Sequence, residues 1–156
     1  MKIILLLGRR RGGGTEAHAN WLLGALRSEG MEVELYSLFP EHYKSSRTEA
    51  FYEAFILRYA CSQFIKWAKK RQVGLVICFG RLANCCGHEI KRQIPDIYMV
   101  ATCRTNRRFP SRYRKTLITA DLVFTNSRWA SQRVSTIRGV LPARIRTLPN
   151  ALLRSE

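Results

Sequence analysis

The first 38 residues constrain the fold most strongly. Ile3-Ile4-Leu5-Leu6-Leu7 is an unbroken apolar run, followed by Gly8, three arginines and the triplet Gly12-Gly13-Gly14. A short run without polar alternation predicts a strand buried on both faces. Thr15 is placed to cap a helix, with Glu16 just inside it. Ala19, Leu22, Leu23 and Leu26 recur at helical spacing and give that helix a core face. Gly30 sits where a left-handed helix stop belongs. Val33, Leu35 and Leu38 then read as a second strand. Strand, glycine turn, helix and strand make a βαβ unit, and such a unit requires parallel strands.

The same alternation continues. Residues 47–71 have helical spacing, with Tyr52, Phe55, Ile56, Tyr59 and Ala60 as the expected core face and Arg58, Ser62, Lys66 and Lys69 as a polar stripe. A lipid-facing role for this aromatic helix is the other reading. Residues 75–80 predict a buried strand ending at Gly80, and residues 82–93 a short helix broken by Pro95. Residues 97–101 predict a strand, 104–115 a basic loop followed by a short helix, and 122–125 a strand. Residues 127–138 predict a helix starting near Ser127, and 145–148 a last short strand. The expected fold class is α/β: a single Rossmann-like domain, mostly parallel sheet, with helices on both faces. The alternation shows no linker, so residues 1–150 are expected to form one domain.

Charge is the compositional outlier. Lys and Arg total 27 against 11 acidic residues, a formal net charge of +16. A surplus of this size speaks to partners rather than fold, and calls for an anionic surface. Between Asp96 and Asp121 there is no acid, while Arg104, Arg107, Arg108, Arg112, Arg114 and Lys115 fall there. Phe109, Tyr113 and Trp129 lie among the cations of this region and suit a membrane interface. The other reading of residues 104–115 is a solvated, partly mobile loop. No apolar run approaches the roughly 20 residues of a membrane-spanning helix. The opening has one cation before its apolar run and three arginines after it, against the charge order of a signal peptide. A cytoplasmic location, with peripheral membrane association as an option, is the expectation. Five cysteines, an odd number with no C-x-x-C pair, predict reduced thiols; Cys85, Cys86 and His88 are the only metal-ligand grouping worth weighing.

In a parallel sheet of this kind ligands bind beyond the carboxyl ends of the strands. The candidate loops are residues 8–16, 79–87, 102–115 and 125–128. The glycine triplet permits close backbone approach, and the helix behind it offers free amides and a positive dipole end. It is neither G-x-G-x-x-G, since position 17 is Ala, nor a Walker A loop. As a bare turn it is equally readable as structural.

Three segments resemble family-4 glycosyltransferases in the correct order. Gly13-Gly14-Thr15-Glu16 with the following helix and Gly30-Met31-Glu32-Val33 is similar to the family's opening, with Met31 where a histidine is common. Ala120-Asp121-Leu122-Val123-Phe124-Thr125-Asn126-Ser127 is similar to its alanine-aspartate, strand, asparagine-serine element. Ile145-Arg146-Thr147-Leu148-Pro149-Asn150 is similar to the segment closing its N-terminal half. The resemblance implies a two-domain GT-B enzyme, with an acceptor-side N-terminal half, a donor-binding half carrying paired glutamates, and an active site in the cleft between them. This chain would be the acceptor-side half, with residues 151–156 beginning an interdomain linker and the donor-binding half absent. Carried over, Gly13, Gly14, Thr15 and Glu16 would approach donor phosphates or acceptor. Asn126 and Ser127 would line the cleft, with Arg104 as a further substrate-binding residue. Family members often place a histidine after the strand at 97–101; here Thr102-Cys103-Arg104 follows, so no catalytic residue is assigned. His18 and His88 read as surface or packed residues.

The expected function is therefore the acceptor-binding half of a nucleotide-sugar-dependent hexosyltransferase, inactive alone. It has no resident cofactor or metal, and a nucleotide sugar would enter as co-substrate once a C-terminal half is supplied. A glycan or lipid-linked acceptor and an anionic membrane are the further partners expected, each cation near such a surface contributing up to ~1 kcal/mol. The alternative is a non-enzymatic α/β domain binding nucleic acid or another phospholigand. Nucleic acid is the less favoured partner, because no helix-turn-helix, zinc-finger or RNA-recognition signature is present.

Overall fold

The computed structural model describes residues 1–10, 12–39, 50–104 and 108–148, with the side chains of 50–53 excepted. Arg11, the Tyr52 side chain, Arg107, Pro149-Asn150 and the expected linker at 151–156 lie outside the described residues.

Among the described residues six strands and five α-helices alternate: β1 (Lys2–Leu7), α1 (Gly14–Ser28), β2 (Val33–Ser37), α2 (Ala50–Lys70), β3 (Val73–Phe79), α3 (Gly80–Gln93), β4 (Tyr98–Cys103), α4 (Ser111–Thr119), β5 (Leu122–Thr125), α5 (Arg128–Ser135) and β6 (Ile145–Thr147). The sheet order is β2-β1-β3-β4-β5-β6, and every pair is parallel. The expected α/β class and parallel sheet are what the chain adopts.

The apolar run of β1 divides by parity. Ile3, Leu5 and Leu7 face α1 with Leu22, Leu23 and Leu26, while Ile4 and Leu6 join the core beneath α2–α5. All six β1 residues are buried, as a strand covered on both faces requires. Asp121 joins three elements at the other end of the sheet. Its Oδ2 accepts the Met99 amide at 2.7 Å and the Lys91 ammonium at 2.9 Å, tying β5 to β4 and α3. Gly87 lets α4 close onto α3, since a Cβ there would collide with the Thr116 side chain. Thr116 Oγ1 accepts the His88 amide at 2.8 Å across the same contact.

Three local expectations are corrected. Thr15 does not cap α1: Gly13 is the N-cap, with no side-chain cap bond, and Thr15 lies within the first turn. The core face of α2 is Leu57, Cys61, Phe64, Ile65 and Ala68, whereas Phe55 and Tyr59 are 71% and 63% exposed. Ile56 and Ala60 pack only at its margin. The helix is turned so that Phe64 meets Tyr36 of β2 edge-on at 4.9 Å, and this contact with the sheet selects the buried face. Finally, Ser111–Lys115 is helical, because Pro110 ends the extended segment and serves as the N-cap of α4.

Candidate functional site

Parallel strands place all their carboxyl ends on one edge, where the segments after β1, β3, β4 and β5 converge; the expected loop at 79–87 is instead the first turns of α3, which begins at Gly80 directly after β3. The glycine turn forms one wall. Gly12 has φ +68, a conformation that side chains rarely adopt, and a Cβ added at Gly12, Gly13 or Gly14 would meet nothing within 4 Å. The turn is therefore open to an approaching molecule. Glu16 Oε2 accepts the Gly12 amide at 2.7 Å, so its carboxylate holds the turn in shape. That places a negative charge at the positive end of α1, where an anionic ligand would compete with it.

The direct junction of β3 with α3 fits beneath this turn. Gly80, at φ +77, has the Thr15 methyl 3.4 Å from the position a Cβ would take. Gly8 faces Leu82 so closely that a side chain would overlap it. Asn84, wholly buried in the first turns of α3, holds the loop. Its amide nitrogen donates to the carbonyls of Cys78 (3.1 Å), Gly80 (2.7 Å) and Thr102 (3.1 Å), and its oxygen accepts the Thr102 amide at 3.3 Å. Thr102 Oγ1 also donates to the Cys78 carbonyl at 2.7 Å. The ends of β3 and β4 are thus fixed together by side chains where the sheet ladder gives out.

Arg104 and Asn126 follow the paired residues Cys103 and Thr125, and the Asn126 amide donates to the Cys103 carbonyl at 3.4 Å. The structure therefore brings these two expected site residues side by side. Burial holds the Arg104 guanidinium below its ordinary pKa. Ser127 caps α5, its Oγ accepting the Ala130 amide at 3.2 Å, so its first use is structural.

His18, expected as a surface or packed residue on the helix after the glycine turn, is packed at this edge. It is half-buried on α1, with its ring 5.8 Å from that of Trp21 and 5.9 Å from that of Phe79 at the carboxyl end of β3. Burial, and next the nearby Arg104 charge, lower its pKa from 6.5, which keeps the imidazole neutral at pH 7. It is the one histidine that the described residues place at this edge. The available signal was its position four residues past Gly14, one turn into the helix behind a glycine loop. His88 instead lies on α3, away from this edge. Cys85, Cys86 and His88 do not assemble into a metal-capable group among the described residues.

The aromatics expected at a membrane interface divide. Tyr113 is buried, and its hydroxyl donates to the Thr102 carbonyl at 2.5 Å. Phe109 is half-buried between Tyr113, ring to ring at 5.1 Å, and the Arg133 guanidinium at 4.8 Å. Trp129 alone of the three is largely exposed. The expectation fails for Tyr113, which completes the core under β4.

No protein-family model and no curated protein matches this chain. Solved structures do. The apo form of the lipopolysaccharide outer core galactosyltransferase WaaB is similar over 97% of this chain and 46% of its own, with a TM-score of 0.73 and 13% identity. The S. aureus MnaA–UDP co-structure is similar over 93% of this chain and 43% of its own, with a TM-score of 0.65 and 14% identity. The fold is that of a GT-B N-terminal domain. The chain spans less than half the length of either solved structure. The glycine turn, His18, Arg104 and Asn126 all lie at the carboxyl edge of this sheet.

Proposed function

We propose that the chain is the acceptor-side half of a nucleotide-sugar-dependent glycosyltransferase and transfers sugar only when a donor-binding half faces its carboxyl edge. The likeness to a galactosyltransferase over 97% of the chain carries this reading. The arrangement of the edge supports it. Neutral His18 can accept a hydrogen bond from an acceptor hydroxyl, and Arg104 and Asn126 supply donors beside it. The open glycine turn leaves room for a phosphate or sugar oxygen near the first amides of α1. Stabilising the leaving diphosphate takes amides and cations arranged for the developing charge, most of which the second half would supply.

The +16 surface supports an anionic membrane or a phosphorylated acceptor as partner. The test is turnover of a sugar-nucleotide panel by the chain with and without a candidate donor-binding half. Transfer in the mixture, reduced by Arg104→Ala, supports the reading. Equal turnover by wild type and Arg104→Ala removes Arg104 from the site.

A further inference from the structure

A second place in the molecule has the chemistry of an anion site, on the outer side of the helical layer rather than at the carboxyl edge. α3 lies between α2 and α4, and the three bound a groove of about 630 Å³. Six cations line it: Arg58, Lys66 and Lys69 from α2, Arg92 from α3, and Arg112 and Lys115 from α4. Among the described residues the single carboxylate lining it is Glu89, and it is already engaged, accepting from Arg92 at 2.6 Å and from Gln93 at 3.1 Å. None of the other five cations has a carboxylate partner among the described residues. The floor is different in character. Leu57, Cys61, Ile65 and Cys86 are apolar or thiol groups buried in the core, so the cations rim a low-dielectric trough. His88 also lines the groove, and its Nδ1 is buried without a hydrogen-bond partner among the described residues.

These features differ from those of a solvated basic helix. Cations along one helix face are held apart by water, and their mutual repulsion is weak. Cations from three helices around one concavity add their potentials, and apolar walls focus the field within it. With Glu89 as the one acid among the described lining residues, the cations oppose folding by self-repulsion, and an anion bound in the groove would relieve it. A buried ring nitrogen without a partner adds a position that an anionic oxygen could satisfy.

We propose that this groove binds a phosphate group, with the α2, α3 and α4 cations as its ligands and the apolar floor receiving the carbon skeleton next to the phosphate. Phe55 and Tyr59 stand exposed on α2, one turn before the groove and on the same outward stripe as Ser62 and Lys66. A phosphate on an apolar molecule therefore fits better than a free ion. The inference does not depend on glycosyl transfer, because binding here needs neither a donor nor a second half.

The test uses the full chain with two probes at physiological salt: inorganic pyrophosphate by calorimetry, and phosphatidate-containing against pure phosphatidylcholine vesicles by co-sedimentation. Two double charge reversals are compared. K66E/K69E changes the groove, and R114E/R138E changes exposed arginines outside it by the same net charge; circular dichroism verifies that both fold. The groove variant should lose about tenfold or more in affinity while the other stays within about twofold, since charge-assisted contacts to phosphate are local. Binding of pyrophosphate identifies a free phospholigand site, and binding of phosphatidate vesicles alone identifies a lipid headgroup site. Equal weakening by both variants, or no binding of either probe by the wild type, overturns the proposal. Neither result bears on sugar transfer at the carboxyl edge.

Discussion

At the scale of single residues, the carboxyl edge rests on a few side chains with separate tasks. Asn84 closes the ends of β3 and β4, and Asn84→Ala would remove four hydrogen bonds to buried backbone groups of Cys78, Gly80 and Thr102. A loss of about 2 kcal/mol or more is expected, seen as a lower urea midpoint at unchanged slope. His18 gives a pH signature. Its folded pKa lies below the unfolded value of 6.5, so the unfolded chain binds the proton first. Its contribution to stability is complete above pH 6.5 and is lost as the pH falls towards the folded pKa. His18→Gln should remove that part of the pH dependence. In NMR titrations the wild-type midpoint should lie below 6.5, and Arg104→Ala should move it upward. Asn84 and His18 were hard to read from the sequence because their roles come from strands distant in the chain. An asparagine in a helix carries no local mark of what the sheet places beside it, and a histidine one turn into the helix behind a glycine loop carries only that position.

At the scale of elements, the sequence was most informative where the cause is local. The β1 run, the Gly30 stop at φ +74 and the Ser127 cap each follow from the residues at that point. The buried face of α2 does not. Phe55-Tyr59 and Leu57-Cys61-Ile65 both repeat at helical spacing, and only the rotation of the helix on the sheet decides between them. Phe64→Ala should therefore cost about 3–5 kcal/mol of stability, as large-to-small changes in a packed core do. Phe55→Ser and Tyr59→Ser should stay within about 0.5 kcal/mol, as exposed positions do. Denaturation of the three variants side by side checks the assignment. The start of α4 was missed for a related reason: Arg112, Arg114 and Lys115 give a polar impression, while Tyr113, Thr116 and Leu117, which bury the helix, are dispersed among and after them.

At the scale of the whole molecule, the order β2-β1-β3-β4-β5-β6 gathers the segments after β1, β3, β4 and β5 on one edge and leaves the basic groove on the outer side of α2–α4. The parallel sheet was legible from alternation and glycine placement, whereas two of the expected edge loops, 79–87 and 102–115, give way to helix at Gly80 and Ser111. The groove was not, because its cations come from three helices whose mutual packing no local pattern encodes. The central claim is that the carboxyl edge is one side of a sugar-transfer cleft and requires a second half for chemistry. The most direct measurement is release of nucleoside diphosphate from a panel of nucleotide sugars, with an acceptor present, by the purified chain and by the chain mixed with a donor-binding half. The account predicts no transfer by the chain alone and transfer in the mixture; robust turnover by the purified chain would contradict it.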